Sequence, residues 1–231
     1  MPAAHGEGGK VKCANPKLHA KFLCVLEKIQ HCRYVVIGSV AMLAYSPLDG
    51  RAIGDLDIVV EPGETPVVHS ALKQCGFVKQ DVTEGPSGAY EWFKTELQGR
   101  LALDVHIVQN SLKVFDREGH LVEFLYPLGR SISSPTHWEI GGIRLKMARK
   151  EDLVIMKMLP IFADERNKKH YEDLTLLLRL PGGLDMDYLC EIVSSNTGVR
   201  KRVVANQQEI ATLMPSVLSL LNEDTRQSAQ R

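Results

Sequence analysis

The chain has no apolar run long enough to cross a bilayer, and its N-terminus lacks the apolar core of a signal peptide. It also has no excess of either charge, because Lys plus Arg and Asp plus Glu each number 28. A balanced charge gives no support to a nucleic-acid coat, although it leaves room for a local basic patch. We therefore expect a soluble, cytoplasmic protein with no membrane partner.

Cysteine is scarce and follows no disulfide or metal-binding pattern. The five cysteines form no CxxC pair and are odd in number. This usage is typical of a reducing compartment and does not predict a disulfide framework. The chain of 231 residues, 44% of them hydrophobic, is long enough for one large domain or two small ones.

Strand and helix patterns follow one another through the first part of the chain. Residues 1–14 look like a mobile arm, and a helix over 15–30 is expected to begin with Asn15 as N-cap. A strand at 34–38 is then followed by a helix at 39–45, the turn SPLDG, a strand at 55–60 and a helix at 65–75. Strand patterns in FVKQ, AYEWFK and LALDVHIV surround a loop, TEGPSG. This order is an α/β or α+β pattern.

The character of the chain changes after about residue 130. IGGIRLKMA predicts a hairpin, and residues 151–180 have a helical pattern that is expected to break near Pro160. DMDYLCEIVSS and residues 205–222 also have helical patterns. We therefore expect a sheet domain over 15–135 and a mainly helical C-terminal part over 136–231.

Two aspartates stand one residue apart in the strand DLDIVV. Because residues i and i+2 of a strand point to the same side, Asp55 and Asp57 share a face. Asp104 lies within another apolar strand, LALDVHIV. Neighbouring carboxylates repel each other unless a cation lies between them, and oxygen ligands suit Mg²⁺ or Mn²⁺. Three strand carboxylates that converge are the arrangement of two-metal phosphoryl chemistry.

Gly38 and Ser39 stand where a strand ends and a helix begins. Free backbone N–H groups and the helix dipole favour an anion at such a point, and a polyphosphate would fit. Simpler explanations exist for each motif taken alone. Gly-Ser is common in tight turns, Asp55 could cap the turn at Gly54, and Asp57 could pair with Arg51. The conjunction of the motifs favours the functional interpretation.

These residues resemble the nucleotidyltransferase superfamily, of which DNA polymerase β is the best-known member. The matching residues are Ile37-Gly38-Ser39, Asp55-Leu56-Asp57 and Asp104. Fifteen residues separate Ser39 from Asp55, slightly more than is usual, and Gly54 stands where many members have Ser or Thr. The resemblance implies an α+β fold, with a mixed sheet flanked by helices and a helical C-terminal part.

The C-terminal half is similar to the stand-alone abortive-infection and toxin nucleotidyltransferases. Its segments ARKEDLVIMKML and RNKKHYEDLTLLL resemble two helices of that branch, which would place Lys157 and Asp173 near the nucleotide. Lys157 could equally be a solvated lysine. Arg166 and His170 share a helical face with Asp173, and this face either lines a cleft or is a charged surface.

The resemblance implies transfer of an NMP from an NTP to a hydroxyl, with release of pyrophosphate. Asp55, Asp57 and Asp104 would hold Mg²⁺ or Mn²⁺, and Asp104 would also accept the hydroxyl proton. Gly38, Ser39 and Lys157 would bind the phosphates. The acceptor stays open between an RNA 3′ end, a small-molecule hydroxyl and a protein side chain. The alternatives are a non-catalytic nucleotide- or RNA-binding module and a metal-dependent phosphohydrolase. His106, beside Asp104, is expected to be a hydrogen-bonded neighbour, and Trp92 and Phe93 to belong to the core or cover the sheet.

Overall fold

The structure is a computed structural model that describes residues 18–46, 53–80, 90–96, 102–108, 111–115, 121–125, 128–163 and 168–195. Several features considered above lie outside these residues: the arm at 1–14, Asn15, most of the SPLDG turn, Arg51, the TEGPSG loop, Arg166 and the helix expected at 205–222.

The described elements follow the order expected from the sequence, with one addition. The helices are α1 (Ala20–Lys28), α2 (Gly38–Met42), α3 (Thr65–Gln74), α4 (Leu128–Ser133), α5 (Lys150–Ala163), α6 (Lys168–Arg179) and α7 (Met186–Ser195). The strands are β1 (Tyr34–Ile37), β2 (Asp55–Val60), β3 (Val78–Lys79), β4 (Tyr90–Glu96), β5 (Ala102–Val108), β6 (Ser111–Phe115), β7 (Leu121–Leu125), β8 (Thr136–Ile140) and β9 (Ile143–Met147). The addition is the β6–β7 hairpin with α4 after it, which the sequence analysis did not predict.

A mixed seven-stranded sheet forms the centre of the fold, with the strand order β3-β4-β5-β2-β1-β9-β8. The pairs β2–β5 and β1–β9 are parallel, and the other pairs in this sheet are antiparallel. The expected α+β class with a mixed sheet flanked by helices is therefore confirmed. The β8–β9 hairpin, which the sequence analysis placed in the helical C-terminal part, belongs to this sheet.

One face of the sheet is apolar and covered by helices. Leu56, Ile58, Val105 and Ile107 are fully buried on this face. α1 packs on the same side, because Lys21 Nζ donates a hydrogen bond of 2.7 Å to Thr95 Oγ1 on β4. Burial of these side chains holds β2 and β5 in register. That register also decides which residues share the opposite face.

Two helix boundaries differ from those expected. α1 begins at Ala20, and its N-cap is His19, whose Nδ1 accepts a hydrogen bond from the Lys21 backbone N–H. α5 continues through Pro160, where a break was expected. A proline inside a helix costs about 3 kcal/mol. Residues 151–161 are all buried, so tertiary packing offsets that cost.

The structure contains one disulfide that the cysteine pattern did not predict. Cys24 on α1 and Cys75, at the end of α3, form a disulfide across 51 residues of sequence. The two helices pack on each other. Cysteine spacing in the sequence does not predict such a tertiary contact. Among the described residues, no helix is both long and apolar enough to cross a membrane.

Candidate active site

The register of β2 on β5 brings the predicted carboxylates side by side. Asp55 pairs with Asp104 and Asp57 pairs with His106 in the parallel ladder. The ladder is extended by a backbone hydrogen bond of 2.9 Å from Asp104 N–H to the Gly54 carbonyl. Paired residues of adjacent strands point to the same side, at a strand spacing of about 4.8 Å. Three aspartates and a histidine therefore occupy one patch of the face opposite the apolar one, called the carboxylate face below.

Gly38 is the residue that allows Asp57 its position. Its φ is +67°, a conformation that favours glycine. A Cβ at this position would also overlap Asp57 Oδ2. Gly38 begins α2, and Ser39 is 5% exposed. The strand-to-helix position that the sequence predicted for both residues is confirmed, whereas their contact with phosphate stays a prediction.

His106 is the hydrogen-bonded neighbour that the sequence analysis expected. Its Nδ1 donates to Asp57 Oδ1 at 2.7 Å. Burial lowers the pKa of His106, but the hydrogen bond and the charges of Asp57, Asp55 and Asp104 outweigh it and raise this pKa overall. Proton binding by the imidazole therefore counters part of the negative charge on the carboxylate face.

Asp104 offers an unused ligand atom. Its Oδ1 is buried and has no hydrogen-bond partner among the residues that the structure describes. Carboxylate oxygens are the donors that Mg²⁺ and Mn²⁺ prefer, so the donor chemistry of Asp55, Asp57 and Asp104 fits such an ion. Within the described ranges, however, no three His, Cys, Asp or Glu side chains form a ready metal cluster. The strand register thus brings the three aspartates to one patch, as expected, but Asp57 Oδ1 already accepts a hydrogen bond from His106.

Lys157 and Asp173 form a buried ion pair between α5 and α6. Lys157 Nζ lies 2.7 Å from Asp173 Oδ2, and the side chains are 6% and 0% exposed. The alternative of a solvated lysine is wrong. The pair explains both charges without a nucleotide, so the direct contact with a nucleotide that the resemblance implies stays a prediction.

His170 lies one turn before Asp173 on α6, and its Nδ1 is buried without a hydrogen-bond partner. Burial lowers the pKa of His170 to about 4, with Lys157 acting in the same direction and Asp173 and Asp57 opposing it. His170 is therefore neutral near pH 7. The charge of Asp57 is thus among those that act on this imidazole.

The chain is similar to solved nucleotidyltransferases. One is the lincosamide antibiotic adenylyltransferase LnuA in its lincomycin-bound form, at 14% identity over 70% of this chain and 96% of that one (TM-score 0.47). A second is ANT(2")-Ia in complex with adenylyl-2"-tobramycin, at 14% identity over 79% and 97% (TM-score 0.49). A third is an antigenic nucleotidyltransferase-like protein from Paracoccidioides brasiliensis, at 16% identity over 87% and 91% (TM-score 0.49).

No family model and no curated protein matches the chain. All three matches have a TM-score below 0.5, and the narrower abortive-infection branch stays a prediction. At these identities and scores, what the carboxylate face can do has to be judged from its own residues.

The expectation for the β4 aromatics is right for Phe93 and incomplete for Trp92. Phe93 is 4% exposed and belongs to the apolar core. Trp92 pairs with His106 and Lys94 pairs with Asp104, so both extend the carboxylate face. Alternation along AYEWFK could have separated Trp92 from Phe93. That Trp92 lies beside His106 and Lys94 beside Asp104 follows only from the register of β4 on β5.

We expect Gly38→Ala to destabilise the protein more than Gly141→Ala does. Both glycines have positive φ, which costs an alanine about 1–2 kcal/mol, but a Cβ at Gly141 meets nothing within 4 Å. Overlap with Asp57 adds about 1–3 kcal/mol at Gly38. Urea unfolding measures the difference, and adding Asp57→Ala to Gly38→Ala should recover part of it. Equal losses at the two glycines would contradict the close contact with Asp57.

We expect Lys157→Met to lower the free energy of unfolding by about 3–5 kcal/mol, because it leaves the buried Asp173 carboxylate unpaired. The double variant Lys157→Met/Asp173→Leu should lie close to the native protein. Arg33→Met breaks an exposed pair with Glu61 and should cost about 0–1 kcal/mol. A small loss for Lys157→Met in urea unfolding would show that the pair does not join α5 to α6 in solution.

Proposed function

We propose that the chain is a metal-dependent nucleotidyltransferase that moves an NMP from an NTP to a hydroxyl acceptor and releases pyrophosphate. The observation that carries this proposal is the register that sets Asp55 beside Asp104 and Asp57 beside His106. Carboxylates held side by side repel each other and weaken the fold. A cation-dependent reaction gives a physical reason to keep them there.

Asp55, Asp57 and Asp104 are the residues that would hold Mg²⁺ or Mn²⁺. Such an ion, when bound, neutralises charge on phosphoryl oxygens and lowers the pKa of an attacking hydroxyl. Asp104 accepts the proton of the acceptor hydroxyl at its unpartnered Oδ1. His106 fixes the orientation of Asp57 through their hydrogen bond.

The donor nucleotide would lie toward β1 and α2. Gly38 and Ser39 bind its β- and γ-phosphates there, and the support for this role is the strand-to-helix turn that brings Gly38 against Asp57. Lys157 and Asp173 act by holding α6 against α5. A direct phosphate contact by Lys157 would require its pair with Asp173 to open.

One observation favours the non-catalytic alternative. The described residues form no ready cluster of three metal-binding side chains, and Asp57 is held by His106. In a nucleotide- or RNA-binding module of the same fold, the ion pair with His106 would be the whole role of Asp57. The unpartnered Asp104 Oδ1 then has no explanation, which is why we prefer the enzyme.

Label transfer tests the reaction. The protein is incubated with Mg²⁺ or Mn²⁺, each of four α-labelled NTPs, and mixtures of RNA, protein or small metabolites. We expect label on one acceptor class, and a rate lowered by about 10² to 10⁴-fold in Asp104→Asn, in line with the loss of a general base. Asp187→Asn, which changes an exposed aspartate at the start of α7, is the matched control.

Asp55→Asn separates the cation from the general base, since Asp55 is not assigned to proton transfer. We expect it to weaken metal-dependent NTP binding, whereas Asp104→Asn mainly slows transfer. Transfer at the native rate in both variants would contradict the proposed mechanism. Metal-independent NTP binding with no transfer would favour the non-catalytic module.

A further inference from the structure

The carboxylate face continues beyond β5 onto β4. Trp92 is paired with His106, with ring centroids 6.5 Å apart, and Lys94 is paired with Asp104. Phe93 and Thr95, the residues between and after them, are buried on the opposite face. Trp92 and Lys94 therefore belong to the same surface as the three aspartates, although neither is part of the mechanism given above.

Three polar atoms at this end of the face have neither a hydrogen-bond nor an ion-pair partner among the described residues. Trp92 Nε1 and Asp104 Oδ1 are buried without hydrogen-bond partners. Lys94 Nζ lies 5.7 Å from the centroid of the Trp92 ring and makes no ion pair with any described residue. A buried donor or acceptor without a hydrogen bond destabilises the fold. A donor, a cation and an acceptor thus lie on one face, and none of them is hydrogen-bonded or ion-paired to a described residue.

The strand order indicates which substrate would meet these atoms. β1, which leads into Gly38, lies on one side of β2, and β4 lies beyond β5 on the other side. In phosphoryl transfer the attacking and leaving oxygens lie roughly in line on opposite sides of phosphorus. If the pyrophosphate leaves toward Gly38, the acceptor hydroxyl has to approach over β5 and β4.

We propose that Trp92 and Lys94 form the acceptor subsite, and that it takes a hydroxyl compound with a phosphate or carboxylate close to the reacting hydroxyl. This rests on the proposed function. Lys94 pairs with the anionic group, and Trp92 Nε1–H donates to an oxygen of the same molecule. Lys94 and Asp104 are antiparallel partners, whose Cα atoms lie about 4.5–5.5 Å apart, so one small molecule can contact both side chains. We therefore place the hydroxyl and the anion on one sugar-sized unit.

Transfer at this subsite replaces one phosphorus–oxygen bond with another. The acceptor oxygen forms a bond to the α-phosphorus of the NTP, and the bond from that phosphorus to the bridging oxygen breaks. Pyrophosphate leaves with the electron pair, and the hydroxyl proton passes to Asp104. A free sugar phosphate and the terminal ribose of an RNA share the required chemistry. A neutral acceptor gains nothing from Lys94.

Binding to the subsite can be measured without any transfer. The chain has two tryptophans, Trp92 and Trp138, so Trp138→Leu leaves Trp92 as the only indole. In this background, fluorescence is followed during titration with ribose 5-phosphate, with a short oligoribonucleotide bearing a free 3′ hydroxyl, and with ribose. We expect saturable changes with the two anionic probes and none with ribose. Tighter binding of the oligomer would identify an RNA end, and equal affinities a small sugar phosphate.

Lys94→Gln tests the role of the charge, and Lys73→Gln, at an exposed lysine of α3, is its matched control. Loss of a charged hydrogen bond worth about 1.5–3 kcal/mol corresponds to roughly 10- to 100-fold weaker binding of the anionic probes. In the transfer assay, Lys94→Gln should raise the KM for the acceptor and leave NTP binding unchanged. A merely structural role for Lys94 would move NTP binding as well.

Two results would overturn the subsite: no saturable response of Trp92 to either anionic probe, or equal affinities in Lys94→Gln and Lys73→Gln. Because Trp92 reports binding directly, these results do not depend on turnover. Binding of the anionic probes with no label transfer to any acceptor would support the anion-binding pair and overturn the proposed function, so the two failures are distinguishable.

Discussion

Repulsion among three carboxylates on one sheet face is the constraint to which the rest of the site responds. The apolar face leaves no freedom to relieve it, because Leu56 and Val105 are fully buried, and a shift of one residue would turn the aspartates into the core. Burial of the apolar face thus holds the carboxylates together. His106 and Gly38 then make the arrangement possible, the first by a hydrogen bond to Asp57 and the second by the absence of a side chain.

The C-terminal helices contain a second set of buried charges. The Lys157–Asp173 pair is buried, so its desolvation is offset only while both partners stay together. Burial keeps the imidazole of His170 neutral; Lys157 lowers its pKa further, whereas Asp173 and Asp57 raise it. α5 and α6 are therefore held together by a buried charge pair as well as by packing.

Most of the strands of the main sheet and the Asp-x-Asp pair could be predicted, because hydrophobic alternation is a local property of sequence; the β6–β7 hairpin could not. Gly38 was predictable for the same reason, since it ends an apolar strand. The pairing of Lys157 with Asp173 could not be predicted. A lysine that binds phosphate and a lysine that pairs with a buried carboxylate occupy the same kind of position in the sequence of a helix. The Cys24–Cys75 disulfide and the place of Trp92 depend on which elements pack together, and Pro160 is tolerated only because α5 is buried.

The most direct test of the account is the free energy of unfolding of the native chain and of Asp55→Asn, measured with and without Mn²⁺. If the carboxylates are held against their repulsion for a cation, Asp55→Asn is at least as stable as the native chain without metal. Mn²⁺ then stabilises the native chain in proportion to the logarithm of its concentration, and has little effect on the variant. A native chain that is indifferent to Mn²⁺, together with an Asp55→Asn variant that is less stable without metal, would contradict the account.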